Sequence, residues 1–336
     1  MKYVGEKDYQ HGMETNVGVL ITNLGTPDAP TKKALRPYLK EFLSDPRVIE
    51  TPKLIWQIIL NGIILNVRPA KSAKAYETVW TENGSPLFDI AKKQQAALKE
   101  ALPNLVVGLA MRYGNPSIES ELIRMRDQGV RKILIFPLYP QYCAATTAST
   151  FDKVTQVLNK WRWIPEVRFI NDYYHDEKYI QALANSISDF QKQHGKPDLT
   201  LFSYHGIPKA YLDKGDPYHC FCRATTRLVK ERLNLTDDDV MTTFQSRFGP
   251  AEWLQPYTDT TLKELPSKGV KNVHIIAPAF SADCLETIEE IGEENREYFM
   301  ESGGETYRYI PCLNDKPEHI DLLAKLIQQH TQGWGV

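Results

Sequence analysis

The sequence predicts an α/β protein made of two related halves, each built on a mainly parallel sheet of about four strands. Three observations carry this. Apolar runs of strand length alternate with helical patterns through nearly all of the 336 residues. Continuous apolar strands are what a sheet covered on both faces requires, and helix-length connectors are what parallel strands require. The alternation also occurs twice, with short matching stretches in the same order.

Taken in order, the first strand is "VGVLITN" (17–23), followed by a helix over 31–43. A second helix over 87–101 leads into "LVVGLAM" (105–111), and a helix over 116–127 into "KILIFPL" (132–138). "EVRFIN" (166–171), a helix over 177–193 and "LTLFSY" (199–204) follow. "VMTTFQ" (240–245), a helix over 258–266, "NVHIIAP" (272–278), a helix over 284–300 and "TYRYIP" (306–311) complete the strands. An amphipathic helix over 318–330 closes the chain. Crossovers between such strands are right-handed.

The repeat has three parts. "VLITN" runs into "LGTP" as "LFSY" runs into "HGIP", so both strands end in a GxP turn, at Gly25–Pro27 and Gly206–Pro208. "AMRYGNP" from Ala110 resembles "QSRFGP" from Gln245. The stretch from Gly129 resembles that from Gly269. On this alignment His205 takes the slot of Leu24, and Glu286 takes the slot of Thr146. Ionisable groups thus stand in the second half where the first is apolar or neutral. Ligands of open α/β sheets bind outside the carboxyl ends of strands, where these junctions lie. Two such domains would leave a ligand cleft at these ends.

The halves differ in length: 89 residues separate Gly25 from Gly114, but 43 separate Gly206 from Gly249. The insertion includes "LIWQIILNGIIL" (54–65), too short for a bilayer span of about 20 residues. It reads as a buried helix or as an apolar lip touching ligand or membrane. A lip of this kind suits a large, flat, poorly soluble ligand.

Composition narrows the function classes. A net charge of −2 gives no electrostatic case for nucleic acid. The start, "MKYVGEKDYQHGMETN", is neither a secretory signal nor a transit peptide, which points to the cytoplasm. The five cysteines, Cys143, Cys220, Cys222, Cys284 and Cys312, fit no disulfide framework. "HCFC" at 219–222 is either three converging metal donors or the start of a polar helix. No phosphate-cradling loop is present, which disfavours a dinucleotide enzyme.

His205 is either a satisfied turn histidine or a working imidazole that accepts a proton or holds a metal. Asp283 and Glu286 read as a capping box, Asp at N-cap and Glu at N3. Yet Glu286, Glu290 and Glu294 recur every four residues and share a helix face. That row is either a solvated face or a carboxylate path for cations and protons. Arg112 and Tyr113 end a strand, as turn chemistry or as contacts for substrate carboxylates. Trp253 and Phe280 are aromatic groups at the corresponding edge, with core packing as the alternative.

At this point the residues resemble the ferrochelatase family over nearly the whole chain, about 16–330. The stretches that carry the resemblance include "LITNLGTPDAP", "FLSDPRVIE", "RPAKSAKAY", "MRYGNP", "PLYPQY", "SYHGIP", "KGDPY", "FQSRFGPAEWLQPYTD" and "SADCLETIEEI". The resemblance implies two Rossmann-like domains with a porphyrin cleft between them: 1–165, with the apolar lip, and 166–316, with the catalytic residues. Helix 317–336 is expected to pack back on the first. It implies insertion of ferrous iron into protoporphyrin IX to form haem, with His205 and Glu286 as catalytic and metal-binding residues. Arg112, Tyr113, Trp253, Leu24 and Phe280 are expected near the porphyrin, and Glu290, Glu294 and Asp283 on a proton or metal path. Iron is then a substrate, and no tightly bound cofactor is expected. Animal members carry a [2Fe–2S] cluster on cysteines, mostly in a C-terminal extension; this chain has no cysteine after Cys312, so no cluster is expected. Members using coproporphyrin III tend to have tyrosine near the first GxP turn. Asn23-Leu24 stands there, which favours protoporphyrin IX. The alternatives are a coproporphyrin III ferrochelatase, a relative loading cobalt or nickel into another tetrapyrrole, and a non-catalytic porphyrin or haem carrier. Peripheral membrane contact through 54–67 is a further expectation.

Overall fold

A computed structural model describes residues 3–6 and 9–336. The chain divides into two compact units, and each holds one four-stranded, wholly parallel sheet.

The first unit comprises 1–138, 144–171 and 320–336. Its elements are β1 (Asn16–Thr26), α1 (Lys32–Leu43), α2 (Lys53–Ile59), a π-helical turn (Leu60–Ile64), α3 (Leu65–Val79), α4 (Pro86–Ala101), β2 (Val106–Gly114), α5 (Ile118–Asp127), β3 (Val130–Pro137), a second π turn (Ala144–Ala148), α6 (Ser149–Leu158) and β4 (Glu166–Phe169). The strand order is β2-β1-β3-β4. β1 is buried along nearly its whole length because helices cover both of its faces. On one face Leu20, Ala110, Ile133 and Ile135 meet Ile118, Leu122 and Met125 of α5 and Val154 and Val157 of α6. β4 pairs in parallel with β3, Lys132 against Glu166, so this strand belongs to the first sheet. The boundary expected at 165/166 therefore lies after Asn171, because a strand joins the sheet that satisfies its backbone.

The second unit comprises 139–143 and 172–319. It contains α7 (Glu177–His194), β5 (Leu199–His205), α8 (Lys209–Asp213), α9 (Tyr218–Leu233), β6 (Val240–Gln245), α10 (Thr258–Glu264), β7 (Asn272–Ile276), a nine-residue π-helix (Glu286–Glu294), α11 (Asn295–Glu301) and β8 (Thr306–Ile310). Its order, β6-β5-β7-β8, repeats that of the first sheet. Leu201, Val273 and Ile275 pack on Leu262 of α10, Ile291 of the π-helix and Phe299 of α11. α12 (Pro317–His330) begins in the second unit, and from Ile320 onward its residues belong to the first.

Sheet register tests the internal repeat. Val19 pairs with Leu134 and Thr200 with His274, so the GxP and Gly129/Gly269 matches describe equivalent positions. The third match does not. Met111 N–H donates to the Pro116 carbonyl, and Phe244 N–H to that of Pro256, so these pairs are the equivalents. Five residues separate the first pair and twelve the second. The Arg-aromatic-Gly likeness is thus a coincidence of sequence. The true counterparts of Arg112 and Tyr113 are Gln245 and Ser246, and the loop carrying Trp253 is peculiar to the second unit.

Candidate active site

The GxP glycines set the ends of the two central strands. A Cβ on Gly25, whose φ is +113°, would lie 1.8 Å from the Tyr113 carbonyl oxygen. One on Gly206 would lie 2.8 Å from the Gln245 carbonyl oxygen and 3.2 Å from the Trp253 ring. Neither position admits a side chain, so the neighbouring strand ends close in tightly.

His205 is the last residue of β5 and is half-buried. Its Nδ1 lies 2.7 Å from the Gly206 carbonyl oxygen. A carbonyl only accepts, so Nδ1 carries the hydrogen in the neutral ring and Nε2 keeps its lone pair. The bond fixes both tautomer and ring plane. Beside it, the 207–209 segment is held by Leu254 N–H to Ile207 and Lys209 N–H to the Glu252 carbonyl. That contact seats Trp253, which is buried, donates Nε1–H to the Phe248 carbonyl at 3.0 Å and packs on the Phe248 ring. Phe280 is half-buried after β7.

The capping box does not form. The Asp283 carboxylate instead receives the Tyr309 hydroxyl (2.5 Å), Asn314 Nδ2 (2.7 Å), the Thr287 hydroxyl (3.0 Å) and Cys312 N–H (3.4 Å). Asn314 Oδ1 accepts, at 2.8 Å, the Asp283 N–H that Glu286 would take in a capping box, and Thr287 Oγ1 accepts the Cys284 N–H. Asp283 is therefore saturated with donors and braces the helix start. Glu286 is released from capping. Burial pushes the Cys284 thiol up, and the Glu286 carboxylate beside it adds to this.

The helix from Glu286 winds in the π form. Its widened turns are supported from outside: Asn295 Nδ2 bonds the Glu290 carbonyl at 2.8 Å and the Tyr307 hydroxyl the Ile291 carbonyl at 2.5 Å. Glu286 and Glu290 are half-buried and Glu294 is exposed, so the row leads from the surface inward. Glu294 receives the Tyr298 hydroxyl at 2.6 Å. Glu290 is pushed up to about 7, chiefly by burial; the Ser246 hydrogen bond opposes this, and the charges of Glu286 and Glu294 add to it.

In the first unit Arg112 donates Nε–H to the Ser149 hydroxyl at 2.6 Å and carbonyl at 3.0 Å, and forms an ion pair through Nη2 with Asp45. Asp45 also takes the Tyr113 hydroxyl (2.8 Å) and the Ser149 hydroxyl (2.6 Å). Tyr113 has no exposed surface and braces the guanidinium stacked on it. Leu24 is half-buried, its N–H taken by Asn23 Oδ1.

The lip is exposed. Leu54, Ile58, Ile63 and Val67 are 83%, 75%, 62% and 68% exposed, while Leu60 and Leu65 anchor the segment inward. The π turn at Leu60–Ile64 explains the spacing: the step from 58 to 63 is five residues, the widened turn, and the flanking steps are four. Cys220 and Cys222 sit two apart on α9, one exposed and one buried, so "HCFC" does not converge. Among the described residues no cluster of three or more His, Cys, Asp or Glu side chains is arranged to hold a metal ion. No helix among the described residues is long and apolar enough to cross a membrane. Sequence reasoning missed Gln245, Ser246, Asp45 and Ser149. Only correct alignment of the repeat points to the first two.

Comparison with known proteins agrees with this geometry. The ferrochelatase family model matches residues 16–331. Ferrochelatase of Idiomarina loihiensis is 58% identical over 100% of this chain and 94% of its own length. That of Hydrogenovibrio crunogenus is 59% identical over 99% and 91%. Among solved structures, SirB from Bacillus subtilis with Fe3+ has a TM-score of 0.55 at 14% identity, over 75% of this chain and 94% of that one. CbiX, described as the terminal enzyme for biosynthesis of siroheme in denitrifying bacteria, has a TM-score of 0.53 at 13% identity, over 93% and 98%. These two likenesses concern the fold. The match of the family model over nearly the whole chain, with relatives near 58% identity, places this chain in the ferrochelatase family as a metal chelatase, an enzyme of the lyase class.

Proposed function

We propose that this chain inserts ferrous iron into protoporphyrin IX to form haem, with His205 and Glu286 at the reacting centre. The observation that carries the reading is the locked imidazole: His205 offers an Nε2 lone pair in the unit that also carries the acidic row. Metallation removes two pyrrole protons while the metal enters one face of the ring. A planar macrocycle hides its nitrogen lone pairs, so distortion on binding lowers the barrier. Nε2 takes a pyrrole proton or meets the metal, and Glu286 is its carboxylate partner. Glu290 and Glu294 pass protons or iron between the surface and Glu286. Arg112 keeps Nη1 for a propionate carboxylate, while Nε and Nη2 hold Ser149 and Asp45.

The exposed lip supports a further part of the reading: it forms an apolar wall for the porphyrin and a peripheral contact with a membrane surface, the enzyme otherwise working in the cytoplasm. No iron–sulfur cluster or other tightly bound cofactor is part of this reading, and the divergence of Cys220 and Cys222 removes one candidate ligand pair. The test is anaerobic incubation with ferrous iron and protoporphyrin IX, following the loss of porphyrin fluorescence, with coproporphyrin III in parallel. Fluorescence that persists with both porphyrins would reject the reading; loss with coproporphyrin III alone would reassign the substrate.

A further inference from the structure

We propose that Ser246 is a positioning residue for the acidic row, holding the Glu290 carboxylate at its middle step. The proposal rests on the reading of that row as a path for protons or iron.

Ser246 follows β6 directly and has a φ of +65°. Among the described residues the other non-glycine positions with positive φ are Asn234 and Asn314. Asparagine tolerates the left-handed region; serine is a less favourable occupant, and glycine would be the easiest. A serine there is explained by use of its side chain. Its hydroxyl donates to Glu290 Oε2 in a very short contact, and its backbone N–H also points to that carboxylate. The left-handed turn brings both donors to one place.

The preceding residue grips the same helix one turn earlier. Gln245 Nε2 donates to the Glu286 carbonyl at 3.3 Å. Its amide is oriented by a buried chain of hydroxyls: Ser203 donates to Gln245 Oε1 at 2.8 Å and meets Thr258 at 2.9 Å, which bonds Thr243 at 2.9 Å. Gln245 thus fixes the phase of the π-helix, and Ser246 fixes the carboxylate that this phase presents.

The first unit has the same device in another form. The register equivalents of Gln245 and Ser246 are Arg112 and Tyr113, and both reach Ser149, at the start of the helix that follows the π turn of that unit. There the grip closes on a neutral serine and is sealed by Asp45. In the second unit it closes on an ionisable group faced by Glu286, Glu294, Tyr298 and Tyr307. The strand end is a structural clamp in both units, and in the second its last residue is turned to the row.

The experiment is a double-mutant cycle of Ser246→Gly and Glu290→Gln, read as kcat and as separate KM values for ferrous iron and porphyrin. Glycine keeps the left-handed backbone and removes the short CH2OH side chain, so folding is retained. The loss of one hydrogen bond to a charged group predicts a fall in kcat of about tenfold for Ser246→Gly. The porphyrin KM and the thermal midpoint should stay unchanged. The double variant should be no slower than Glu290→Gln alone, because the hydroxyl acts through that carboxylate. Wild-type kcat in Ser246→Gly, losses that multiply in the double variant, or a lowered midpoint with intact kcat would each overturn the assignment. Full activity in Glu290→Gln would instead remove the row itself from the path, and Ser246 with it, while leaving the chelatase reading standing.

Discussion

Replacing Glu290 by Gln should make the protein more stable and less active, with the stability gain dependent on pH. Burial of its carboxylate, with the charges of Glu286 and Glu294 adding to it, raises it from 4.5 to about 7. A folded-state value above the unfolded one means that the native state holds the proton more tightly. Native stability is then greatest below pH about 4.5, falls as pH rises through the interval to about 7, and stays low above it. At about 1.4 kcal/mol per unit, the interval of roughly 2.5 units corresponds to at most about 4 kcal/mol at pH 8. Water reaching the half-buried group reduces this figure. Gln keeps an oxygen for the Ser246 hydroxyl and offers its N–H donors to Glu286 and Glu294. Denaturant midpoints of the two proteins, measured from pH 4.5 to 8.5, should therefore be close at the acid end and separate progressively, with the variant higher and the gap level above pH about 7. A gap independent of pH, or one that narrows as pH rises, would refute the reasoning.

Four other outcomes are expected. His205→Ala should lower turnover by roughly 10²-fold or more with an unchanged thermal midpoint; near-normal turnover would reject the histidine. Glu286→Gln should lose turnover on the same scale and Glu290→Gln less, while the exposed Glu297→Gln, off the series, stays active; equal small effects at all three would make the row a solvated face. Ile58→Asp with Ile63→Asp should raise the porphyrin KM and weaken liposome binding, because charge on an apolar wall opposes burial; unchanged values in both assays would reduce the lip to inert surface. Purified protein should be colourless apart from bound tetrapyrrole, and an iron–sulfur absorption spectrum with matching acid-labile sulfide would bring Cys220 and Cys222 back as ligands.

The strands and their parallel pairing were legible because apolar runs and helix-length connectors are local signals. His205 and Glu286 stood out because the repeat sets them against Leu24 and Thr146, and sheet register bears that alignment out. What the sequence hid is long-range. Asp283 and Glu286 have capping-box spacing, yet the Asp283 carboxylate is taken by Tyr309, Cys312 and Asn314, more than 25 residues away. The π winding was also invisible, since residues four apart share a face in either helix form. Its supports, Asn295 and Tyr307, carry no sequence signal of that use. The second part of the repeat misled because Arg-Tyr-Gly and Arg-Phe-Gly look alike. Strand register and the hydrogen bonds at Pro116 and Pro256 show that the second lies in a longer loop, two residues beyond the equivalent position.

The two units show how one scaffold divides bracing from chemistry. Each ends its second strand with two residues that reach back to the helix after the third strand, and in each that helix begins with widened turns. In the first unit the reach is closed: Arg112 and Asp45 neutralise one another, and Tyr113 and Ser149 complete their hydrogen bonds. A buried ion pair satisfied in this way is rigid. In the second unit the same positions hold uncharged Gln245 and Ser246, and the Glu290 carboxylate is met by the Ser246 hydroxyl. An arginine at position 245 would pair with the row and close it, as Arg112 pairs with Asp45. On the proposed reading of the row, neutral donors keep the carboxylates in place while leaving them free to exchange a proton or meet an incoming dication. On this argument Gln245→Arg, which transplants the first unit's solution into the second, should keep the fold and stop turnover; an active variant would show that the neutrality of the clamp is incidental.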